Sequence, residues 1–146
     1  MTERFVYVSY IRTTAPKLWK ALTSAEFTKQ YWFGMSIESS FEVGAPWKLV
    51  SSEGKIFDVG EILESVPGKR LVMTWRNELK PELHAEGVAR CTFDLVEDGA
   101  QMKLTVTHEI DVSPSKFIGA VSAGWPAVIS SLKSLLETGN ALPRMG

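Results

Sequence analysis

The fold of this protein is decided by a segment near its C-terminus, residues 115–138, which reads SKFIGAVSAGWPAVISSLKSLLET. Apolar side chains recur in it at steps of three and four residues, which places them on one face of an α-helix. They are Val121, Trp125, Val128, Leu132 and Leu135. Only three of its residues are charged. We therefore predict a long helix that is largely covered by protein. Pro126 lies inside the pattern and is expected either to kink the helix or to split it in two, because proline removes a helical hydrogen bond.

The residues before this helix predict a strand, two short helices and then a run of strands. Residues 5–11 are rich in β-formers, and Thr13-Thr14-Ala15-Pro16 is typical of a helix start. About six further strands, separated by turn signals, are predicted between residues 37 and 110, with residues 77–86 as a polar loop. This order predicts an α+β fold. In it, a curved antiparallel sheet of about six or seven strands wraps around the C-terminal helix.

Length, composition and charge exclude several classes of protein. The 146 residues suit one domain, in which residues 141–146 are expected to form a loose tail. Sixteen basic and seventeen acidic residues leave a net charge of -1, so no basic excess points to nucleic acid. The N-terminus has no apolar signal region, and no window approaches the length of a membrane span. With a single cysteine, Cys91, no disulfide framework can form, and we expect a cytoplasmic protein.

Six short segments carry a resemblance to a known family. They are APKLWKALT at 15–23, YWF at 31–33, RLVMTW at 70–75, LTVTH at 104–108, GWPAV at 124–128 and LKSLLE at 132–137. In order and spacing the chain resembles the SRPBCC superfamily, which has the START-like or helix-grip fold. It is most similar to the homologues of the activator of the ninety-kilodalton heat-shock-protein ATPase. The resemblance implies a hydrophobic cavity between sheet and long helix. It does not fix the activity, since superfamily members include lipid carriers, polyketide cyclases and co-chaperones.

The sequence offers little support for a metal site, a bound cofactor or a nucleophile. His84 and His108 are the only histidines, and no HExxH, paired CxxC or glycine-rich phosphate loop is present. We expect neither a metal nor a cofactor. Cys91 shares its strand face with apolar neighbours, which favours a buried, inert thiol. An enzyme is therefore the less favoured interpretation.

Two titratable residues are candidates for acid–base chemistry. His108 ends an alternating apolar series that begins at Met102, so it shares the predicted inward face. There it either bonds a neighbouring backbone group or, beside a cavity, binds a ligand or transfers a proton. On an inward face Glu61 would be a cavity carboxylate with a raised pKa. A one-residue bulge at Gly60 would instead turn Glu61 to solvent.

The aromatic residues carry the binding hypothesis, because the chain contains five Trp and seven Phe. Large aromatics are core residues in most proteins, but they also line apolar pockets. The candidate ligand-binding residues are Trp32, Phe33, Trp47, Glu61, Trp75, Phe93, His108, Val121 and Trp125.

We predict a binding module for a hydrophobic, aromatic or lipid-like small molecule, with no nucleic-acid partner. One alternative is a cyclase-like or hydrolase-like enzyme that uses His108 with Glu61. Another is a co-chaperone-like interaction domain, with a chaperone partner or a homodimer formed through an exposed sheet edge.

Overall fold

A computed structural model describes residues 1–143 and gives the expected order of elements. The strands are β1 (Glu3–Ile11), β2 (Ser36–Glu38), β3 (Pro46–Val50), β4 (Ile56–Val66), β5 (Arg70–Asn77), β6 (Ala89–Asp98) and β7 (Gln101–Ile110). The helices are α1 (Ala15–Thr23), α2 (Ala25–Tyr31), α3 (Pro81–His84) and α4 (Lys116–Thr138). The last three residues of the predicted tail, 144–146, lie outside the described part of the chain.

The strands form one antiparallel sheet in the order β1-β7-β6-β5-β4-β3-β2. Each hairpin along β3 to β7 joins neighbouring strands, whereas β1 pairs with β7 at the far side. The connection from β1 to β2 contains α1 and α2. The two strands that border this connection are therefore the two edges of the curved sheet.

The C-terminal helix packs on the inward face of the sheet, against β1 and β7, and also contacts α2. Ser115 caps its start by accepting a hydrogen bond from the Ile118 amide at 3.0 Å. Gly139 ends it in the left-handed conformation, with φ of 86°. The helix runs without a break from 116 to 138, so Pro126 does not split it. Four of the five residues of the predicted inward stripe, Trp125, Val128, Leu132 and Leu135, are buried, and Val121 is half-buried.

One local prediction is wrong. Residues 77–86 were expected to form a loop, but Pro81–His84 form the short helix α3. Proline fits the first turn of a helix, because an amide there has no helical partner. Leu83 faces inward and is buried, so this segment contributes to the core.

Candidate functional site

The candidate site is a pocket of about 220 Å³ between α4 and strands β3, β4 and β5. We call it the inner pocket. Its lining residues are Trp32, Met35, Leu49, Phe57, Asp58, Trp75, Asn77, Leu83, Phe117, Ala120, Val121, Gly124, Trp125 and Val128. Nearly all are apolar, and Asp58 is the only charged one. A mostly apolar wall with a few polar groups is the usual character of small-molecule sites.

Three tryptophans form a continuous aromatic wall of the inner pocket. The ring centroid of Trp32 lies 5.3 Å from that of Trp125 and 6.2 Å from that of Trp75. The centroids of Trp75 and Trp125 are 5.7 Å apart. Trp32 follows α2, Trp75 lies on β5 and Trp125 lies on α4. Three separate parts of the fold must therefore pack together to create the wall.

The polar part of the pocket is a pair formed by Asp58 and Asn77. Asn77 Nδ2 donates a hydrogen bond to Asp58 Oδ1 at 3.2 Å. Asn77 Oδ1 in turn accepts hydrogen bonds from the amides of Leu79 and Lys80, at 3.0 and 2.8 Å. These two amide donors fix which end of the Asn77 side chain faces Asp58. The carboxylate is thus positioned by a side chain that is itself held by the chain before α3.

Burial of Asp58 has a clear electrostatic consequence. Only 8% of the residue is exposed, and this burial raises the pKa of its carboxyl from 3.8 to about 6. Hydrogen bonding from the side chains of Trp75 and Asn77 lowers this pKa, while the negative charge of Glu78 raises it. A carboxyl that titrates near neutrality inside a pocket is a typical feature of functional sites.

Asp58 is not among the predicted site residues, because Glu61 was the only carboxylate of this strand that was considered for the inward face, and its direction was left open. The pairing of β3 with β4 passes from Leu49–Asp58 to Val50–Ile56, so Phe57 has no residue opposite it. This irregularity allows the adjacent residues Phe57 and Asp58 both to reach the pocket. The sequence feature that could have indicated this polar part of the site is the turn at Asn77, since asparagine side chains commonly accept hydrogen bonds from the amides that follow them.

The prediction that Glu61 lies in the cavity is wrong. Its side chain is exposed, whereas Asp58 and Ile62 on the same strand are buried. The amide of Glu61 donates to Thr74 Oγ1 at 2.8 Å. Glu61 and His108 therefore cannot act together on one substrate atom, and the proposed acid–base pair does not exist.

His108 is fully buried, as its place in the alternation predicted, but it is not among the lining residues. Its partner is a side chain: Trp125 Nε1 donates to His108 Nδ1 at 3.0 Å. Burial lowers the pKa of His108 to about 3, so the imidazole is neutral at pH 7. Within residues 1–143, His108 Nε2 has no hydrogen-bond partner. His108 therefore supports the aromatic wall from behind.

Trp47 and Phe93 also lie behind the wall. Both are 2% exposed, and their ring centroids are 4.5 Å from Trp75 and 5.7 Å from Trp125, respectively. Trp47 Nε1 donates to the carbonyl of Thr74 at 2.9 Å. This bond crosses β4 at Gly60, where a Cβ would overlap both bonded groups. A glycine is therefore required at position 60.

Phe33 lies beside the inner pocket and does not line it. It lines a neighbouring space of about 550 Å³, which we call the outer cleft. The two spaces share Trp32, Met35, Phe57, Gly124 and Val128, so they adjoin each other. The β3–β4 turn, residues 51–55, forms the far side of the outer cleft. Of the predicted site residues, Trp32, Trp75, Val121 and Trp125 line the inner pocket, and Phe33 lines the adjoining outer cleft.

Other features of the described residues indicate a ligand-binding site less clearly than the inner pocket does. A larger groove of about 830 Å³ beside α1 is lined by Trp19 and Leu95, but its charged members, Lys69 and Glu97, are exposed. Within residues 1–143, no group of three or more His, Cys, Asp or Glu could hold a metal ion. Cys91 is buried, which raises the pKa of its thiol. No helix in this part of the chain is long and apolar enough to cross a membrane.

Sheet topology, the short helices after β1 and the long α4 together define the helix-grip class of the SRPBCC superfamily, as the resemblance predicted. A sequence profile of the family described as "Activator of Hsp90 ATPase homolog 1-like protein" matches residues 12–137. The chain belongs to this family. A comparison with curated protein sequences finds no significant match.

Several solved structures are similar to this chain. MLL2253 from Mesorhizobium loti is 22% identical with a TM-score of 0.80, over 92% of this chain and 97% of that one. The Aha1 dimer from Colwellia psychrerythraea is 20% identical with a TM-score of 0.76, over 94% and 98%. CalU16 from Micromonospora echinospora is 18% identical with a TM-score of 0.77, over 97% and 78%. At these identities the likeness establishes the fold.

Proposed function

We propose that this protein binds a small, largely apolar molecule in the inner pocket. The observation that carries the proposal is the convergence of three indoles, from Trp32, Trp75 and Trp125, on one space between α4 and the sheet. Aromatic walls give a ligand a large contact area with few rotatable bonds. The proposed activity is binding, and it requires neither a cofactor nor a metal.

The volume of the pocket limits the size of the ligand that it can hold. An apolar cavity of about 150 Å³ takes up benzene. The inner pocket, at about 220 Å³, therefore suits a molecule of one or two rings better than a long lipid chain. A longer ligand would extend past Phe33 into the outer cleft.

Calorimetric titration with indole, a two-ring probe, tests the proposal. We expect saturable binding to the wild type, with shifts of the NMR signals of the indole N–H groups of Trp32, Trp75 and Trp125. The variant V121F fills the inner pocket and should weaken binding at least tenfold. The matched control A123F places the same ring on the exposed side of α4 and should bind as the wild type does. Equal binding by both variants would contradict the proposal.

A homodimer is a second proposal, and it is compatible with ligand binding. Strand β1 is a sheet edge, and its outward side carries Val6, Val8 and Tyr10, which are 50%, 44% and 43% exposed. Such edges pair readily with other chains. The similar Colwellia protein is described as a dimer. We expect light scattering to give twice the mass of 16.2 kDa, and V8K to give the monomer mass. The control V43K, at an exposed loop, should stay dimeric, and a monomeric wild type would refute the proposal.

We also propose a cytoplasmic location, which is supported by the free, buried thiol of Cys91. Cell fractionation of a tagged chain would test it.

A further inference from the structure

We propose that the ligand of the inner pocket is a small arylalkyl amine, whose ammonium group pairs with the carboxylate of Asp58. This inference rests on the proposed function, because it names the chemical class of the molecule bound there. It is carried by the position of one negative group inside an otherwise uncharged aromatic pocket.

The carboxylate is oriented but has capacity left for a ligand. Asn77 contributes one hydrogen bond to Asp58 Oδ1, at 3.2 Å, and its own orientation is fixed by two backbone amides. An ionised carboxylate offers about four acceptor positions. Hydrogen bonding from Asn77 and Trp75 therefore leaves room for a further donor on the ligand.

Among residues 1–143, the charge of Asp58 has no cationic partner. No Lys, Arg or His of the described residues lies within 4.0 Å of its carboxylate oxygens. A buried, unpaired charge is costly, so an incoming cation would relieve that cost. The faces of Trp32, Trp75 and Trp125 favour the same sign of charge, since aromatic faces attract cations. An anionic ligand would meet repulsion from Asp58 and find no positive group on the pocket lining.

The charges around Asp58 define the expected pH dependence. The carboxylate of Glu78, the residue after β5, acts on Asp58 by charge repulsion, and His84 Nε2 of α3 lies 3.1 Å from Glu78 Oε2. The lining residues from α4, from β3 and from the segment after α2 are uncharged. His108, with a pKa of about 3, is neutral between pH 5 and pH 8. Ionisation of Asp58, centred at about pH 6, should therefore govern amine binding.

Three probes of one shape separate the possible outcomes: phenethylamine, phenethyl alcohol and propylbenzene. We expect the amine to bind the wild type at pH 8 at least tenfold more tightly than the other two. In D58N, whose side chain has the same shape without the charge, this preference should disappear, while propylbenzene binds at least as tightly as it does to the wild type, because no charge is desolvated. Retained propylbenzene binding also shows that the pocket of the variant is intact.

A pH titration of the wild type supplies a measurement that needs no variant of Asp58. Amine affinity should fall about tenfold between pH 8 and pH 5, whereas propylbenzene affinity should not fall. The control H84Q removes the imidazole beside Glu78 and should keep the same profile.

If the alcohol or propylbenzene binds the wild type as tightly as the amine, the amine proposal is overturned and the apolar binding function stands. If none of the three probes binds, the proposed function fails together with it.

Discussion

Replacement of Asp58 by asparagine should stabilise the protein at neutral pH, although it removes a charged group from the candidate site. The folded protein holds the carboxyl in a desolvated position, where its pKa is about 6 instead of 3.8. The neutral form therefore fits the folded state better than the charged form does. D58N keeps an oxygen that can accept the Asn77 hydrogen bond and has no charge to bury.

The sign and size follow from proton linkage. A carboxyl whose pKa is raised on folding stabilises the protein fully below its unfolded pKa, and this contribution is lost as the pH rises through the folded pKa. A shift of roughly two pH units corresponds to about 3 kcal/mol at most, since one unit is about 1.4 kcal/mol. We expect D58N and wild type to have similar stability at pH 4. At pH 8 D58N should be more stable by about 2–3 kcal/mol.

Urea unfolding at several pH values between 4 and 8, followed by far-ultraviolet circular dichroism, measures this difference. The matched control is D94N. Asp94 accepts a hydrogen bond from Arg70 Nη1 at 2.7 Å on the outer face of the sheet, so its loss should cost about 0–1 kcal/mol and bring no gain at high pH. A stability difference between D58N and wild type that stays constant across the pH range would refute the reasoning.

Four further substitutions, of which G119A is a control, test the architecture around the site by the same unfolding assay. G60A should destabilise the protein by roughly 2–4 kcal/mol, because its Cβ would displace the Trp47–Thr74 hydrogen bond. The control G119A lies at an open helical position and should stabilise the protein by about 0.5–1 kcal/mol. Equal effects of the two variants on stability would contradict the role given to Gly60. W125F should lower the free energy of unfolding by about 2–4 kcal/mol, because a buried acceptor on His108 loses its donor and a large side chain is truncated. A loss below about 1 kcal/mol would show that the Trp125–His108 hydrogen bond does not stabilise the fold. E86Q should lower the free energy of unfolding by about 1 kcal/mol at pH 7. The Glu86 carboxylate accepts from Ser115 Oγ and two amides at the start of α4, which lowers its pKa against the opposing effect of burial. This contribution is present above the unfolded pKa and should vanish as the pH falls through the folded one, so a loss that is the same at pH 3 would contradict it.

Much of the fold was predictable because its signals are periodic. The apolar stripe of α4 and the inward series of β7 that ends at His108 were both predicted from spacing; the β7 series is buried, and so is the α4 stripe apart from the half-buried Val121. Short-range rules also located α1, where Thr14 caps the first turn by accepting from the Lys17 amide. Such features depend on neighbours within a few residues, which the sequence displays in order.

The site was only partly predictable, because its polar pair depends on strand register. Asp58 and Asn77 are 19 residues apart in the chain and meet only because β4 pairs with β5 at that point. Side chains of a regular strand alternate between the two faces with a period of two. The irregular pairing at Phe57 interrupts this pattern, so the alternation in the sequence could not predict it. A shift of one residue decides whether Glu61 or Asp58 is the inward carboxylate, and only the folded structure shows that Asp58 is buried and Glu61 exposed.

The sequence by itself determined the class of fold, the face of each long element and the supply of tryptophans, since these follow from composition and local periodicity. Tertiary structure alone decided which tryptophans line the inner pocket and which support it, and which carboxylate is held there. The physical reason is that burial and proximity are set by several elements at once. The raised pKa of Asp58 arises from atoms that β4, β5 and the residues around them bring together only in the folded chain.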